Sequence, residues 1–168
     1  MINWQWLWSE WIRPILEAAA LALFIVFFVA QSYKVDGSSM EKTLWGGERI
    51  VVDKLTYRFR QPRRGEIIVL KMPESRYIKR IIALGGDTIL ERSGTIYVNG
   101  IPLQESYVEH KTNMNWGPIL VPKGHVWVMG DNRPQSDDSR GSVGFLPLRD
   151  IVGRAIFRFW PPGKVGLF

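Results

Sequence analysis

One stretch limits what this chain can become. Ala18 to Ala30 is apolar and uncharged throughout. A helix apolar on every side is buried either in a large protein or in lipid. A twenty-residue helix from Pro14 to Tyr33 rises about 30 Å, roughly one hydrocarbon core. Pro14 suits a first turn, where a missing N–H costs no helical bond, and Glu17 also falls there. Ahead of the span stand Trp4, Trp6, Trp8 and Trp11. Helical spacing puts Trp4, Trp8 and Trp11 on one face and Trp6 off it. Trp rings are half apolar with a wet N–H, which suits a membrane interface. The reading favoured here is a retained membrane anchor over residues 1–33, spanning about 14–33. One rival is a buried soluble helix. Another is a cleaved targeting peptide, since Ala30 and Ser32 are small residues at −3 and −1 of a cut after Ser32. The front, where Glu10 and Glu17 oppose Arg13, is too acidic for that, and its charge gives no orientation.

The residues after the anchor, about 135 of them, suffice for one core. No long stretch there has a clean helical period. Short apolar runs are punctuated by Gly and Pro, which predicts a mainly β fold: one N-terminal transmembrane helix, then a domain over 34–168 of short antiparallel strands. Strands are expected at Tyr33 to Val35, Glu48 to Lys54, Glu66 to Lys71, Arg76 to Leu84, Ile119 to Pro122, His125 to Met129 and Asp150 to Trp160. Tyr57 to Phe59 reads as a strand extension. Arg92-Ser93-Gly94 and Asn99-Gly100 mark hairpin turns between Thr88 and Ile101. Glu105 to Pro118 reads as a polar surface excursion, and Gly130 to Gly141, lacking apolar residues, as a loop.

The 22 basic and 16 acidic residues give a net charge of +6. The basic residues form no run, which argues against a nucleic-acid arm and suits a face near anionic lipid headgroups. Cys is absent, which excludes disulfides, thiolate metal sites and a Cys nucleophile.

Chemistry concentrates in Asp36-Gly37-Ser38-Ser39-Met40-Glu41-Lys42-Thr43-Leu44. A glycine followed by serines can expose a hydroxyl, and also reads as an ordinary loop leaving a helix. A serine nucleophile needs a base. His110 and His125 stand isolated, with no sign of a Ser-His-Asp triad. Ser39-Met40-Glu41-Lys42 fits the Ser-x-x-Lys pattern of penicillin-binding enzymes, but no Ser-Asp-Asn or Lys-Thr-Gly element completes it. Lys79 lies in the apolar run Tyr77-Ile78-Lys79-Arg80-Ile81. As a base it must lose about three pKa units, roughly 4 kcal/mol, to burial. The competing reading is an edge-strand lysine reaching water.

Four blocks then occur in order: Gly37-Ser38-Ser39-Met40 with Thr43-Leu44; Arg64-Gly65-Glu66-Ile67-Ile68-Val69; Tyr77-Ile78-Lys79-Arg80-Ile81-Ile82-Ala83-Leu84 with Gly86-Asp87; and Gly130-Asp131-Asn132-Arg133 with Ser136 and Asp138-Ser139-Arg140. The series, from Tyr33 to Pro161, resembles type I signal peptidases, membrane-bound serine proteases with a Ser-Lys dyad. The resemblance implies that Ser39 is the nucleophile and its N–H part of the oxyanion hole. It implies that Lys79 is the general base and then the acid, and that Ser136 supports Lys79 by hydrogen bonding. By the same resemblance, Asp131, Arg80, Asp138 and Arg140 are expected to hold the site through ion pairs. Tyr33, Val35, Tyr77 and Ile78 line shallow pockets for small residues at −1 and −3, and Gly37 stands where some members carry an oxyanion-donating Ser. Lys42 and Gly85 replace residues that are often Pro in the family.

The implied activity is removal of signal peptides from exported preproteins, without metal or cofactor. The implied partners are preprotein signal peptides, the lipid bilayer and the protein-export machinery, not nucleic acid. The implied location is the cell membrane, single-pass, with the amino terminus inside and the catalytic domain on the extracytoplasmic side, or the thylakoid membrane in a photosynthetic cell. Two other readings are a tethered β module that binds preproteins without cutting, and a cell-wall acyl enzyme using Ser39 and Lys42.

Overall fold

The structure is a computed structural model that describes residues 4–24 and 29–168. The amino-terminal segment is helical: α1 (Trp4–Leu7), a π-helical turn (Trp8–Ile12) and α2 (Arg13–Phe24). Trp6, Trp8 and Trp11 are exposed on it. Residues 1–3 and 25–28 of the expected anchor lie outside the described residues. The far end of the expected span is not helix. Ala30 to Tyr33 belong to β1 (Ala30–Lys34), whose backbone pairs with β2 (Arg49–Asp53), Ala30 opposite Asp53 and Tyr33 opposite Ile50. Among the described residues no helix is long and apolar enough to cross a membrane.

The rest is mainly β, as its short apolar runs require. One sheet holds β1, β2, β3 (Ile67–Lys71), β4 (Arg76–Leu84), β9 (His125–Met129), β10 (Leu146–Pro147) and β11 (Ile151–Trp160). Its order is β1-β2-β11-β3-β4-β9-β10, with β12 (Gly166–Leu167) beside β11, and every pairing is antiparallel. A second antiparallel sheet has the order β7 (Ile101–Pro102), β6 (Thr95–Val98), β5 (Thr88–Arg92), β8 (Trp116–Leu120). β3 is buried over Ile67 to Leu70, as expected of a central strand covered on both faces. One apolar cluster joins Val35, Met40 and Leu44 to Ile50, Val52, Ile67, Val69 and Ala155, tying the serine stretch to the first sheet. A second, with Ile89, Ile96 and Trp127, lies under the smaller sheet.

Both expected hairpins form. Ser93, Gly94, Asn99 and Gly100 all have positive φ, the backbone that two-residue hairpin turns need. Elsewhere the structure differs. Thr56–Phe59 is a short helix, α3, not a strand extension. Asp53 causes it: its Oδ1 accepts the N–H groups of Leu55 and Thr56 at 2.7 and 3.1 Å and turns the chain. The strand expected at Ile119 to Pro122 starts earlier, at Trp116, because Glu91 and Ile89 of β5 pair with Trp116 and Ile119. Two short strands, β10 and β12, carry no sequence signal of their own.

Candidate active site

The turn after Val35 is anchored by its apolar residues. Met40 and Leu44 are buried, and Met40 O accepts the N–H groups of Thr43 and Leu44 at 3.1 and 2.7 Å. Gly37 has φ +83, which an L side chain resists. Burying Met40 leaves its neighbour Ser39 half-buried on the groove side, and among the described residues the Ser39 hydroxyl makes no hydrogen bond. The Ser39 carbonyl accepts Asn132 N–H at 3.0 Å.

Lys79 enters the same groove from β4. Its strand neighbours on that face are Tyr77 and Ile81, which pack in one cluster, while Ile78 and Ile82 pack in the two others. Lys79 is 3% exposed, with its Nζ 5.3 Å from the centre of the Tyr77 ring. Among the described residues it makes no hydrogen bond or ion pair. Burial lowers its pKa from 10.5 to about 8; Asp138, Asp137 and Asp131 pull the other way, and Arg140 adds to the lowering. Lys79 is thus a buried lysine at the wall of the groove, not an exposed edge-strand lysine.

The groove has a volume of about 790 Å³. Tyr33, Val35, Gly37, Ser39, Tyr77, Ile78 and Lys79 all line it. Its walls are two unpaired strand edges. β1 is the outer strand of its sheet. β4 pairs with β9 only from Arg80 onward, so among the described residues Arg76 to Lys79 have no strand partner on that side.

The polar loop Gly130 to Gly141 adjoins the groove, with Gln135 and Asp137 lining it and Gly130, Asp131, Arg133, Asp138 and Ser139 buried behind them. Asp131 and Asp138 have fully buried carboxylates. Each meets an arginine in a two-pronged pair: Arg80 to Asp131 at 2.9 and 2.6 Å, and Arg140 to Asp138 at 2.9 and 2.8 Å. Burial pushes the Asp138 carboxyl up, but Arg140, the Ser136 hydroxyl and Gly130 N–H outweigh it and hold it below the usual carboxylate range. Ser136 Oγ donates to Asp138 at 2.6 Å and accepts Gly130 N–H at 3.1 Å. Among the described residues no hydrogen bond joins Ser136 to Lys79; the Ser136 proton goes to the Asp138 carboxylate, which leaves its oxygen as the atom that could accept from Lys79. A Cβ on Gly130 would lie 2.3 Å from Ser136 Oγ and 2.4 Å from Ser39 O, so only glycine lets loop and turn meet.

The other candidate bases sit elsewhere. His110 is exposed in the excursion, and His125 turns its Nδ1 toward Lys123 O at 3.1 Å. Lys42 is exposed and donates from Nζ to Ser106 O at 2.8 Å. Its φ of +81 is closed to proline, so this turn differs from one with Pro at that position. Among the described residues no group of three or more His, Cys, Asp or Glu could hold a metal ion. Sequence reasoning missed Thr43, whose hydroxyl donates to Asp131 at 2.6 Å, and the buried Glu105–Arg133 pair. Thr43 lies inside a quoted motif block; Glu105 has no local signal.

Residues 8–160 match the family described as signal peptidase, peptidase S26. The chain belongs to this family. A probable signal peptidase I-1 from Synechocystis sp. is 42% identical over 173 residues, covering 97% of this chain and 87% of the relative. A chloroplastic thylakoidal processing peptidase 1 from Arabidopsis thaliana is 35% identical, covering 94% of this chain and 50% of the relative. A crystal structure of a signal peptidase I from Enterococcus faecalis is 34% identical with a TM-score of 0.49, covering 56% of this chain and 97% of that one. As a member of the signal peptidase family the chain is a hydrolase, a serine protease.

Proposed function

We propose that this signal peptidase family member is a membrane-anchored endopeptidase that cuts signal peptides from exported preproteins, using Ser39 and Lys79. The observation that carries the dyad is Lys79, buried in the groove that Ser39 lines, without an ionic partner among the described residues, and with its pKa lowered to about 8 by burial. A lysine so placed is neutral often enough near neutral pH to accept a proton. Ser39 Oγ attacks the carbonyl carbon of the scissile bond and Lys79 takes the hydroxyl proton. The Ser39 N–H donates to the developing oxyanion; Gly37 adds no side-chain donor. The protonated Lys79 then gives its proton to the leaving amine. Water, deprotonated by Lys79, releases the acyl group from Ser39.

The substrate lies extended between the β1 edge and Arg76 to Lys79, where both walls offer unpaired backbone groups. Tyr33, Val35, Tyr77 and Ile78 line shallow pockets that take small side chains at −1 and −3. Backbone pairing with small pockets suits an enzyme that reads many sequences sharing one feature. Asp131, Arg80, Asp138, Arg140 and Ser136 hold the 130–141 loop beside the groove. The amino-terminal segment anchors the domain, amino terminus inside and groove on the extracytoplasmic side, or in the thylakoid membrane of a photosynthetic cell. The apolar run Ala18 to Ala30 and the exposed tryptophans support the anchor. Partners in this reading are preproteins, the bilayer and the export machinery.

The test is cleavage of a preprotein in detergent by wild type, Ser39→Ala, Lys79→Ala and Lys42→Ala. Loss with the first two variants and retained cleavage by the third is expected. Full activity of Lys79→Ala would sink the dyad. The rate should rise with pH through about 8 as Lys79 loses its proton; a limb near 10.5 would contradict a buried base.

A further inference from the structure

The excursion after β7 carries no family motif, yet three consecutive residues in it touch three separate parts of the groove's frame. Glu105 forms a two-pronged pair with Arg133, with side chains only 2% and 3% exposed. Arg133 in turn donates from Nε to Gly130 O at 3.0 Å, the residue packed against Ser39 O. Ser106 O accepts Lys42 Nζ at 2.8 Å, on the turn that holds Ser39. The Tyr107 ring lies under the Arg80 guanidinium at 4.0 Å, next in sequence to Lys79, and its hydroxyl donates back to Glu105 at 3.1 Å.

We propose that Glu105-Ser106-Tyr107 is a positioning clamp that fixes the nucleophile turn, the base strand and the 130–141 loop in one register. None of the three residues lines the groove, so the clamp acts through Lys42, Arg80 and Arg133. The physical case rests on the buried pair. Two ions taken out of water persist only with good geometry and further hydrogen bonds, and removing one strands the other. A guanidinium released from Glu105 no longer holds the Gly130 carbonyl, and Gly130 is where loop and turn approach most closely. The Lys42 arm is the weakest, since its ammonium is exposed. It also gives the lysine at this position a use that proline lacks.

The proposal rests on the Ser39–Lys79 reading, so Lys79→Ala is measured alongside; its failure to lose activity would count against that reading and not against the clamp. The experiment uses the full chain in detergent and single-turnover preprotein cleavage, with rates expressed per folded molecule from the near-ultraviolet dichroism of the tryptophans. Glu105→Ala should slow the single-turnover rate about 10- to 100-fold, with substrate affinity within about twofold of wild type. The pH midpoint of the rate should move upward, because a loosened frame admits water to Lys79. Glu105→Gln, which keeps a hydrogen bond to Arg133, should recover part of the rate. Should Glu105→Ala not fold, Tyr107→Leu, which removes both the hydroxyl and the ring under Arg80, should show the same pattern at about a few-fold. Wild-type rate and pH midpoint per folded molecule would overturn the clamp, whatever the loss of stability.

Discussion

Two polar stretches of this chain meet opposite fates. The turns of the smaller sheet, Ser93-Gly94 and Asn99-Gly100, owe their backbone to their own residues: each places consecutive residues at positive φ, and Asn99 then also accepts Thr88 N–H at 2.8 Å and donates to Asp87 at 2.7 Å at the end of the neighbouring strand. Gly130 to Gly141 is as polar, yet Asp131, Arg133, Asp138 and Ser139 within it are buried. Its charges are held by Arg80, Glu105 and Arg140, two of them far away in sequence. Local chemistry shapes a turn wherever it lies, whereas a buried polar loop exists only while distant partners satisfy it.

The largest effect should come from breaking a distant partnership. Asp131→Ala leaves the Arg80 guanidinium, 12% exposed, without its carboxylate and should cost about 3–5 kcal/mol in denaturant unfolding. A loss under about 1 kcal/mol would mean the loop is held mainly by its apolar surroundings.

Lys79 tests the converse, a buried charge with no ionic partner among the described residues. Below pH 8 it is protonated in both folded and unfolded chain, and the cost of burying it is fully present. Between about 8 and 10.5 the folded chain has released its proton and the unfolded chain has not, so stability rises with pH across that window. Lys79→Met should therefore stabilise the fold at pH 7 by up to about 3 kcal/mol while abolishing cleavage, and the gain should fade toward pH 10.5. A pH-independent stabilisation would point to packing instead of charge.

The smallest effect belongs to the self-contained turns. Asn99→Ala puts a Cβ residue without a local hydrogen bond at φ +54 and should cost about 1–2 kcal/mol in thermal unfolding. The cleavage rate per folded molecule should stay at the wild-type value, because the turn touches no residue of the groove.

Legibility in the sequence follows the same division. The alternation and breaks that located β3, β4, β5, β6, β9 and β11 are local, and so are the hairpin glycines. α3 escaped because Asp53, three residues before it, diverts the backbone with its own carboxylate. β10 and β12 escaped because two-residue strands are made by their neighbours. The end of the expected span was misplaced for the same cause: no Gly or Pro breaks the chain between Ala30 and Tyr33, but β2 offers their backbone a ladder. In the site, motif blocks put Ser39, Lys79, Asp131, Asp138, Arg80 and Arg140 in view. Their distances from one another were not in view, nor that Ser136 would serve Asp138, nor that Glu105 in a surface-like stretch would be buried.

By itself, the sequence determined what depends on neighbours in the chain: the β periodicity, the turns, the apolar amino-terminal run and the family that the ordered blocks mark. Only the tertiary structure decided which polar groups lose water. Desolvation of Lys79, which lowers its pKa to about 8, comes from atoms brought by β4, the serine turn and the 130–141 loop together. Burial is a property of assembled surfaces, and no single stretch of chain carries it.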